Sequence, residues 1–285
     1  MGWTHVASKD FHDAIRSRML WVVTGLLVLL TAGTSAIPRL IHEDGPEPEF
    51  TQGIEMLYLT VGLLVPIIGL VVGYGAVVGE RESGSIHTLL GLPNSRLDVI
   101  VGKTVGRVAV VAVATAIGTA GGAAVLLALY EQFLVGTYLV TAVGMLLFAV
   151  VFVAVGVAIS ASVGSTTRAV AGVFGAFVVL STLWDYVPTA IYWAIEGTTP
   201  DGLTRPAWFA FLGLLKPGTA LSEFTFSNLS VLDDGAYVDV GGVAARVVGD
   251  VPFYLSDWFA AVVFLAWIVG PLAVGYLKFR RTPLT

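Results

Sequence analysis

The sequence predicts an all-α membrane protein with six transmembrane helices, and three observations lead to this fold class. Apolar residues make up 56% of the 285-residue chain. Charged residues make up only 12%, about half of the roughly 25% that is usual in soluble domains. The charges that are present lie between long uncharged runs. A water-exposed domain of this size could not hide so much apolar surface in one core, whereas bilayer hydrocarbon can solvate it.

Six apolar runs are long enough to cross a bilayer, which takes about 20 residues of helix. They are residues 19–37, 54–78, 106–130, 137–163, 169–187 and 258–277. A further apolar run at 207–215 is too short to cross. It is predicted to belong to short helices on the outer membrane face, within an external segment that covers residues 188–257.

A charge asymmetry orients these spans. If both termini and the loops after the second and fourth spans share one side, that side holds eleven of the 15 basic residues. They are Lys9, Arg16, Arg18, Arg81, Arg96, Lys103, Arg107, Arg168, Lys278, Arg280 and Arg281. Lys and Arg are enriched in the cytoplasmic loops of membrane proteins. The sequence therefore predicts a multi-pass protein of the cell membrane with both termini in the cytoplasm.

Residues 1–18 precede the first span and show helical periodicity. Trp3, Ala7, Phe11, Ala14 and Ile15 share one face, while the charged side chains lie elsewhere on the wheel. This pattern is typical of an amphipathic helix in the membrane interface. The helix could be a simple anchor or a surface for a cytoplasmic partner, and the sequence leaves both interpretations open.

Missing residue types exclude several classes of function. The chain has no cysteine, so disulfides, thiolate nucleophiles and cysteine-ligated metals are excluded. The four histidines are scattered, and no metal or cofactor site and no catalytic residue is predicted. The net charge of −5 argues against a nucleic-acid partner. None of the six runs carries an ionisable residue near its centre, although ion-coupled carriers need such groups. Energy for any transport must therefore come from elsewhere.

Two glycine-containing patterns have simple interpretations. Gly102-Lys103-Thr104 resembles the end of a phosphate-binding loop, but Leu97 stands where the first glycine of that motif must lie, so no nucleotide site is predicted. Glycine pairs at four-residue spacing predict close helix packing within the membrane. These pairs are Gly69/Gly73, Gly75/Gly79 and Gly118/Gly122.

The most specific feature is the predicted cytoplasmic loop of residues 79–105. It opens with three charges and continues as a short amphipathic helix with Ile86, Leu89 and Leu90 on one face, which Pro93 ends. Its pattern resembles the signature loop of type-2 ABC exporter permeases. The matching positions are Glu80, Arg81, Glu82, Gly84, Leu89, Leu90, Pro93, Ser95, Arg96, Gly102 and Lys103.

The resemblance implies a permease subunit of an ATP-driven exporter, which pairs with a second permease chain and with a separate cytoplasmic P-loop ATPase that binds the ATP. It implies that the loop helix is a coupling helix. We expect Ile86, Leu89 and Leu90 to supply the face that docks on the ATPase. We expect the charged triplet to form a gate-like salt-bridge network at the cytoplasmic mouth. The predicted ATPase-coupling residues are Glu80, Arg81, Glu82, Gly84, Ile86, Leu89, Leu90, Pro93, Arg96 and Lys103.

The partner chain and the cargo are less constrained. The glycine-rich second, third and fifth spans are predicted to contact the second permease, which could be an identical chain or a paralogue. One branch of the family is associated with nitrous-oxide-reductase maturation and copper supply. With no cysteine and only four methionines, the path lacks the soft ligands that copper(I) favours, so direct copper conduction is not expected. A membrane scaffold or accessory subunit without transport activity is the rival interpretation, and a bound ATPase would distinguish the two.

Overall fold

The fold is helical throughout the part of the chain that the structure describes. The computed structural model describes residues 2–42, 49–91, 94–200, 205–229, 247 and 250–282. Within these residues the only β-type pairing is an isolated bridge between Arg205 and Val247. The helices are α1 (Trp3–Ile15), α2 (Arg18–Leu40), α3 (Phe50–Tyr74), α4 (Val78–Glu82), α5 (Ser85–Gly91), α6 (Arg96–Leu129), α7 (Val135–Ser162), α8 (Thr166–Ser181), α9 (Tyr186–Glu196), α10 (Ala207–Leu214), α11 (Pro217–Leu229) and α12 (Asp257–Arg281).

Six helical stretches among the described residues are long and apolar enough to cross a membrane, which confirms the predicted fold class. They are Leu20–Leu40, Phe50–Glu82, Arg96–Leu129, Val135–Ser162, Thr166–Glu196 and Asp257–Arg281. The fifth is α8 continued through a short 3-10 turn into α9. The third begins ten residues earlier than its apolar run, so α6 has 34 residues and is about 51 Å long. Its first turns therefore extend beyond the roughly 30 Å hydrocarbon layer.

Helices α3 and α7 form the centre of the bundle because glycines let their backbones meet. A Cβ added to Gly69 would lie 2.8 Å from the Phe152 Cβ, and one added to Gly73 would lie 2.8 Å from the Val153 carbonyl oxygen. Gly156 of α7 faces the same contact from the other side. The packing role predicted for the Gly69/Gly73 pair is thus confirmed.

The other two glycine pairs differ from each other. Added Cβ atoms at Gly118 and Gly122 would lie 3.0 Å from Leu27 and 3.1 Å from Leu57, so this pair also serves close packing. Among the described residues, no atom beyond the local backbone lies within 4 Å of the corresponding positions at Gly75 and Gly79. The packing prediction is wrong for that pair, because it lies where α3 ends and α4 begins.

Among the described residues of the segment 188–257, α10 and α11 are the predicted short helices, and both pack against the bundle. A Cβ added to Gly218, at the start of α11, would lie 3.6 Å from the ring of Phe148 in the middle of α7. The indole N–H groups of Trp184 and Trp267 donate to the carbonyls of Leu212 (3.0 Å) and Leu215 (2.8 Å). These bonds satisfy carbonyls at the α10 C-terminus that would otherwise be costly away from water.

Candidate coupling site

The predicted coupling loop folds as two short helices after the second span. The chain turns through residues 75–77 after α3 and forms α4, then turns again at Gly84 into α5. Gly84 has φ +75°, a conformation that side-chain-bearing residues rarely adopt. This gives the predicted site residue Gly84 a specific role, since it allows α5 to fold back from α4.

A buried charge cluster joins α4 to α1 and α6. The ammonium group of Lys103 lies 2.8 Å from Asp10 Oδ1 and 2.6 Å from Glu80 Oε1. The guanidinium of Arg107 lies 2.8 Å from Asp10 Oδ2. The side chain of Asp10 is 2% exposed and that of Lys103 is 7% exposed. Ser85, the first residue of α5, also donates to Glu80. Two acids thus face two bases in a site with little water, so each buried group has a partner of opposite charge beside it.

Helix α1 reaches this cluster because α6 has two glycines where the helices cross. A Cβ at Gly102 would lie 2.6 Å from the Val6 Cβ, and one at Gly106 would lie 2.9 Å from the Asp10 Cβ. Helix α1 therefore packs on α6 and buries Ala7 and Ala14. Its apolar face serves the bundle itself, and only part of it, including Trp3 at 43% exposure, is left for a membrane interface.

Arg81 and Glu82 face a different part of the bundle from Glu80. Arg81 Nη1 donates to the carbonyl of Val163 at 2.9 Å. Glu82 accepts from the backbone N–H of Thr166 at 2.7 Å and from its hydroxyl. Both contacts lie in the α7–α8 turn. The charged triplet therefore does not form the single salt-bridge network that we expected, because adjacent residues on the short helix α4 project in different directions.

Arg96 attaches the start of α6 to the end of the last span. Its Nη1 lies 2.5 Å from the Phe279 carbonyl, 2.8 Å from that of Arg280 and 3.0 Å from that of Thr282. Its guanidinium carbon lies 5.4 Å from the centre of the Phe279 ring. A cation at these carbonyls, which lie at the C-terminal end of α12, complements the negative end of the helix dipole. The ends of α6 and α12 are thus linked.

The apolar face of α5 points into the protein, which corrects the predicted docking role of its residues. Ile86 is 2% exposed and Leu89 is 7% exposed. Ile86 and the half-buried Leu90 pack with Val77, Ile100 and Phe279. The exposed residues of α5 are His87, Thr88 and Gly91. The amphipathic pattern was real, but its apolar side is occupied by this chain itself. Pro93 lies outside the described residues.

Comparison with known proteins connects this architecture with a family. A sequence model described as "ABC-2 family transporter protein" matches residues 4–284. The chain belongs to the ABC-2 transporter family. It is 29% identical over 286 residues to the "Probable ABC transporter permease protein NosY" of Pseudomonas aeruginosa, covering 99% of this chain and 98% of that one. It is 28% identical over 289 residues to the protein of the same description from Stutzerimonas stutzeri, covering 97% of each.

These similarities confirm the resemblance found in the loop, including the branch. They also mark this ABC-2 chain as a permease subunit of an ABC transporter. Among the described residues, no group of three or more His, Asp or Glu side chains could hold a metal ion.

Asp10, Asp98 and Ser160 were missed in the sequence, as was the capping role of Ser95. Ser95 and Asp98 form a capping box that starts α6, and the Ser-x-x-Asp pattern before a periodic run is a readable signal of it. Asp10 and Ser160 had no such signal, because their partners in this ABC-2 permease lie more than 80 residues away in the sequence.

Proposed function

We propose that this ABC-2 permease is the membrane subunit of an exporter and that a separate cytoplasmic P-loop ATPase docks on the exposed face of α4 and α5. One observation supports this proposal most. The short segment formed by α4 and α5 lies where α1, α6, the α7–α8 turn and the end of α12 meet. A push on α4 and α5 would reach four of the six spans through the contacts of Glu80, Arg81, Glu82 and Arg96.

The docking surface that follows is polar. Glu82, Ser83, Gly84, His87 and Thr88 are exposed along α4 and α5, whereas Ile86 and Leu89 are not available. The partner should therefore recognise this segment by hydrogen bonds and shape, with the apolar face holding α5 in place from behind. Closure of two ATPases on ATP would then move the segment, and the packed helices would respond by switching between discrete arrangements.

The same contacts support a cytoplasmic position for both termini. Helix α1 packs against the first turns of α6, and Arg96 caps the last turn of α12. The N-terminal helix and the C-terminal end of the last span therefore lie at the same end of the bundle. That end carries most of the basic residues, as the positive-inside rule requires of a cytoplasmic side.

A second permease chain would pack best on the fifth span. Only 11% of its most apolar stretch is buried within the chain, against 59% for the second span and 44% for the third. Phe174 is 68% exposed, Val170 48% and Val179 43% on this helix. Of the three spans considered from the sequence, the fifth has the most surface left for an identical or paralogous partner.

The proposal is tested by affinity purification in mild detergent from cells that also express candidate P-loop ATPases. The wild-type chain should retain one ATPase, and the double substitution His87→Glu with Thr88→Glu should lose it. Glu196→Lys, an exposed change on α9, is the matched control and should retain it. Absence of any bound ATPase, with the permease intact, would favour the scaffold interpretation instead.

A further inference from the structure

The break between α3 and α4 is made without a proline. Pro66 lies eight residues before the end of α3, and residues 75–77 contain none. A break of this kind needs another cause, such as a side chain inserted into the helical hydrogen-bond ladder. The backbone N–H groups of Val77 and Val78 identify it. They donate to the hydroxyl oxygen of Ser160 on α7 at 2.9 and 3.0 Å.

The backbone hydrogen bonds around the break show why the Ser160 hydroxyl is needed there. Around the break, Ala76 N–H donates to Gly73, Gly79 N–H to Gly75 and Arg81 N–H to Val77. The two N–H groups between these bonds have Ser160 as their partner. Val77, Val78 and Ser160 are each 0% exposed, so water cannot replace the hydroxyl. Buried backbone donors without a partner are rare because they are costly.

The alternative partners of these two donors are already present. In an uninterrupted helix, each N–H bonds the carbonyl four residues earlier. Val77 would then donate to Gly73 and Val78 to Tyr74, and α3 and α4 would form one straight helix. The close approach of Gly73 to Gly156, where an added Cβ would lie 2.9 Å from the Gly156 Cα, brings α7 near enough for Ser160 to compete with those carbonyls.

We propose that Ser160 is the positioning residue of the coupling segment. By accepting both N–H groups it holds α4 bent away from α3 and so sets where Glu80, Arg81 and Glu82 point. The joint has two hydrogen-bonded states, bent on Ser160 or straight on the α3 carbonyls. Movement between them would change the direction of α4 and α5 relative to the second span. Only the link to ATPase coupling rests on the proposed function; the bend itself does not.

The test measures the bend directly in the purified permease without any ATPase. Because the chain has no cysteine, spin labels can be placed at His87→Cys and Arg168→Cys, two exposed positions at the same end of the bundle. The distance between them is measured by pulsed electron paramagnetic resonance in nanodiscs. Ser160→Ala should move the distribution towards a second distance, since loss of a buried acceptor changes such an equilibrium by about 5- to 150-fold.

Three variants complete the design. Ser162→Ala removes a hydroxyl two residues away that donates within its own helix, to the Ala158 carbonyl, and should keep the wild-type distances. Ser160→Thr keeps the hydroxyl and should also keep them. Gly75→Ala has open space for its Cβ and should shift the equilibrium towards the straight helix by at most about fivefold. It leaves Ser160 unchanged, so it tests the joint even if Ser160→Ala does not fold.

Wild-type distances in both Ser160→Ala and Gly75→Ala would overturn the proposal, as would a Ser160→Thr distribution that matches Ser160→Ala. In a complex with its ATPase, Ser160→Ala should also reduce the stimulation of ATP hydrolysis by the permease, and Ser162→Ala should not. If no ATPase binds at all, the proposed function fails while the distance result still decides the role of Ser160.

Discussion

Replacing Lys103 with methionine removes the shared partner of Asp10 and Glu80 while keeping a side chain of similar length. Lys103 lies 2.8 Å from one carboxylate and 2.6 Å from the other, and its side chain is 7% exposed. Breaking a buried pair by removing one partner costs about 3–5 kcal/mol. Because Arg107 still contacts Asp10, we expect the lower end of this range, about 3 kcal/mol.

The change should be measured as a shift in the thermal unfolding temperature in nanodiscs. For a domain of about 150–250 residues, 1 kcal/mol corresponds to roughly 2–4 °C, so a loss of about 6–12 °C is expected. Lys278→Met, an exposed change at the same end of the bundle, is the control and should stay within about 0.5 kcal/mol. A double-mutant cycle with Asp10→Asn should show a coupling energy of about 0.5–3 kcal/mol. Equal shifts for Lys103→Met and Lys278→Met would refute the role assigned to the cluster.

Two further substitutions test the packing around the site. Gly106→Val should displace α1, since even a Cβ would lie 2.9 Å from Asp10. Limited proteolysis should then cleave the N-terminal helix faster. The control Gly25→Val has open space for its side chain and should leave cleavage unchanged. Leu89→Asp should lower the unfolding temperature, because it places a charge at a 7% exposed position, and His87→Asp on the exposed face should not. A stable Leu89→Asp protein that has lost only ATPase binding would restore the docking role first expected for Leu89.

The spans of this permease could be predicted from the sequence because membrane helices are recognisable as long runs without charged residues. The sequence predicts that the third span begins at residue 106, whereas α6 begins ten residues earlier. Its first turns resemble a loop in the sequence because they contain four charged residues, Arg96, Asp98, Lys103 and Arg107. Those charges are tolerated because Asp10 and the α12 carbonyls satisfy several of them. Such pairings are invisible in a single sequence, where the partners lie far apart.

The coupling residues show a different limit. The periodicity of Ile86, Leu89 and Leu90 correctly indicated an amphipathic helix, but an apolar face can pack on a partner or on its own chain. Whether this face packs on a partner or on its own chain depends on where Phe279 and Ile100 lie in the fold. The sequence around α5 does not specify their positions. Two signature glycines have structural roles in this chain. Gly84 forms the turn between α4 and α5, and Gly102 allows α1 to cross α6 closely.

The central claim, that an ATPase contacts the exposed face of α5, is tested most directly by site-specific cross-linking. A photo-reactive group attached at Thr88→Cys, in a chain with no other cysteine, should capture a P-loop ATPase in membranes. The same group at Trp193→Cys, 60% exposed on α9 at the far end of the fifth span, should not. Capture of the ATPase from Trp193 alone, or from neither position while the ATPase co-purifies, would contradict the account.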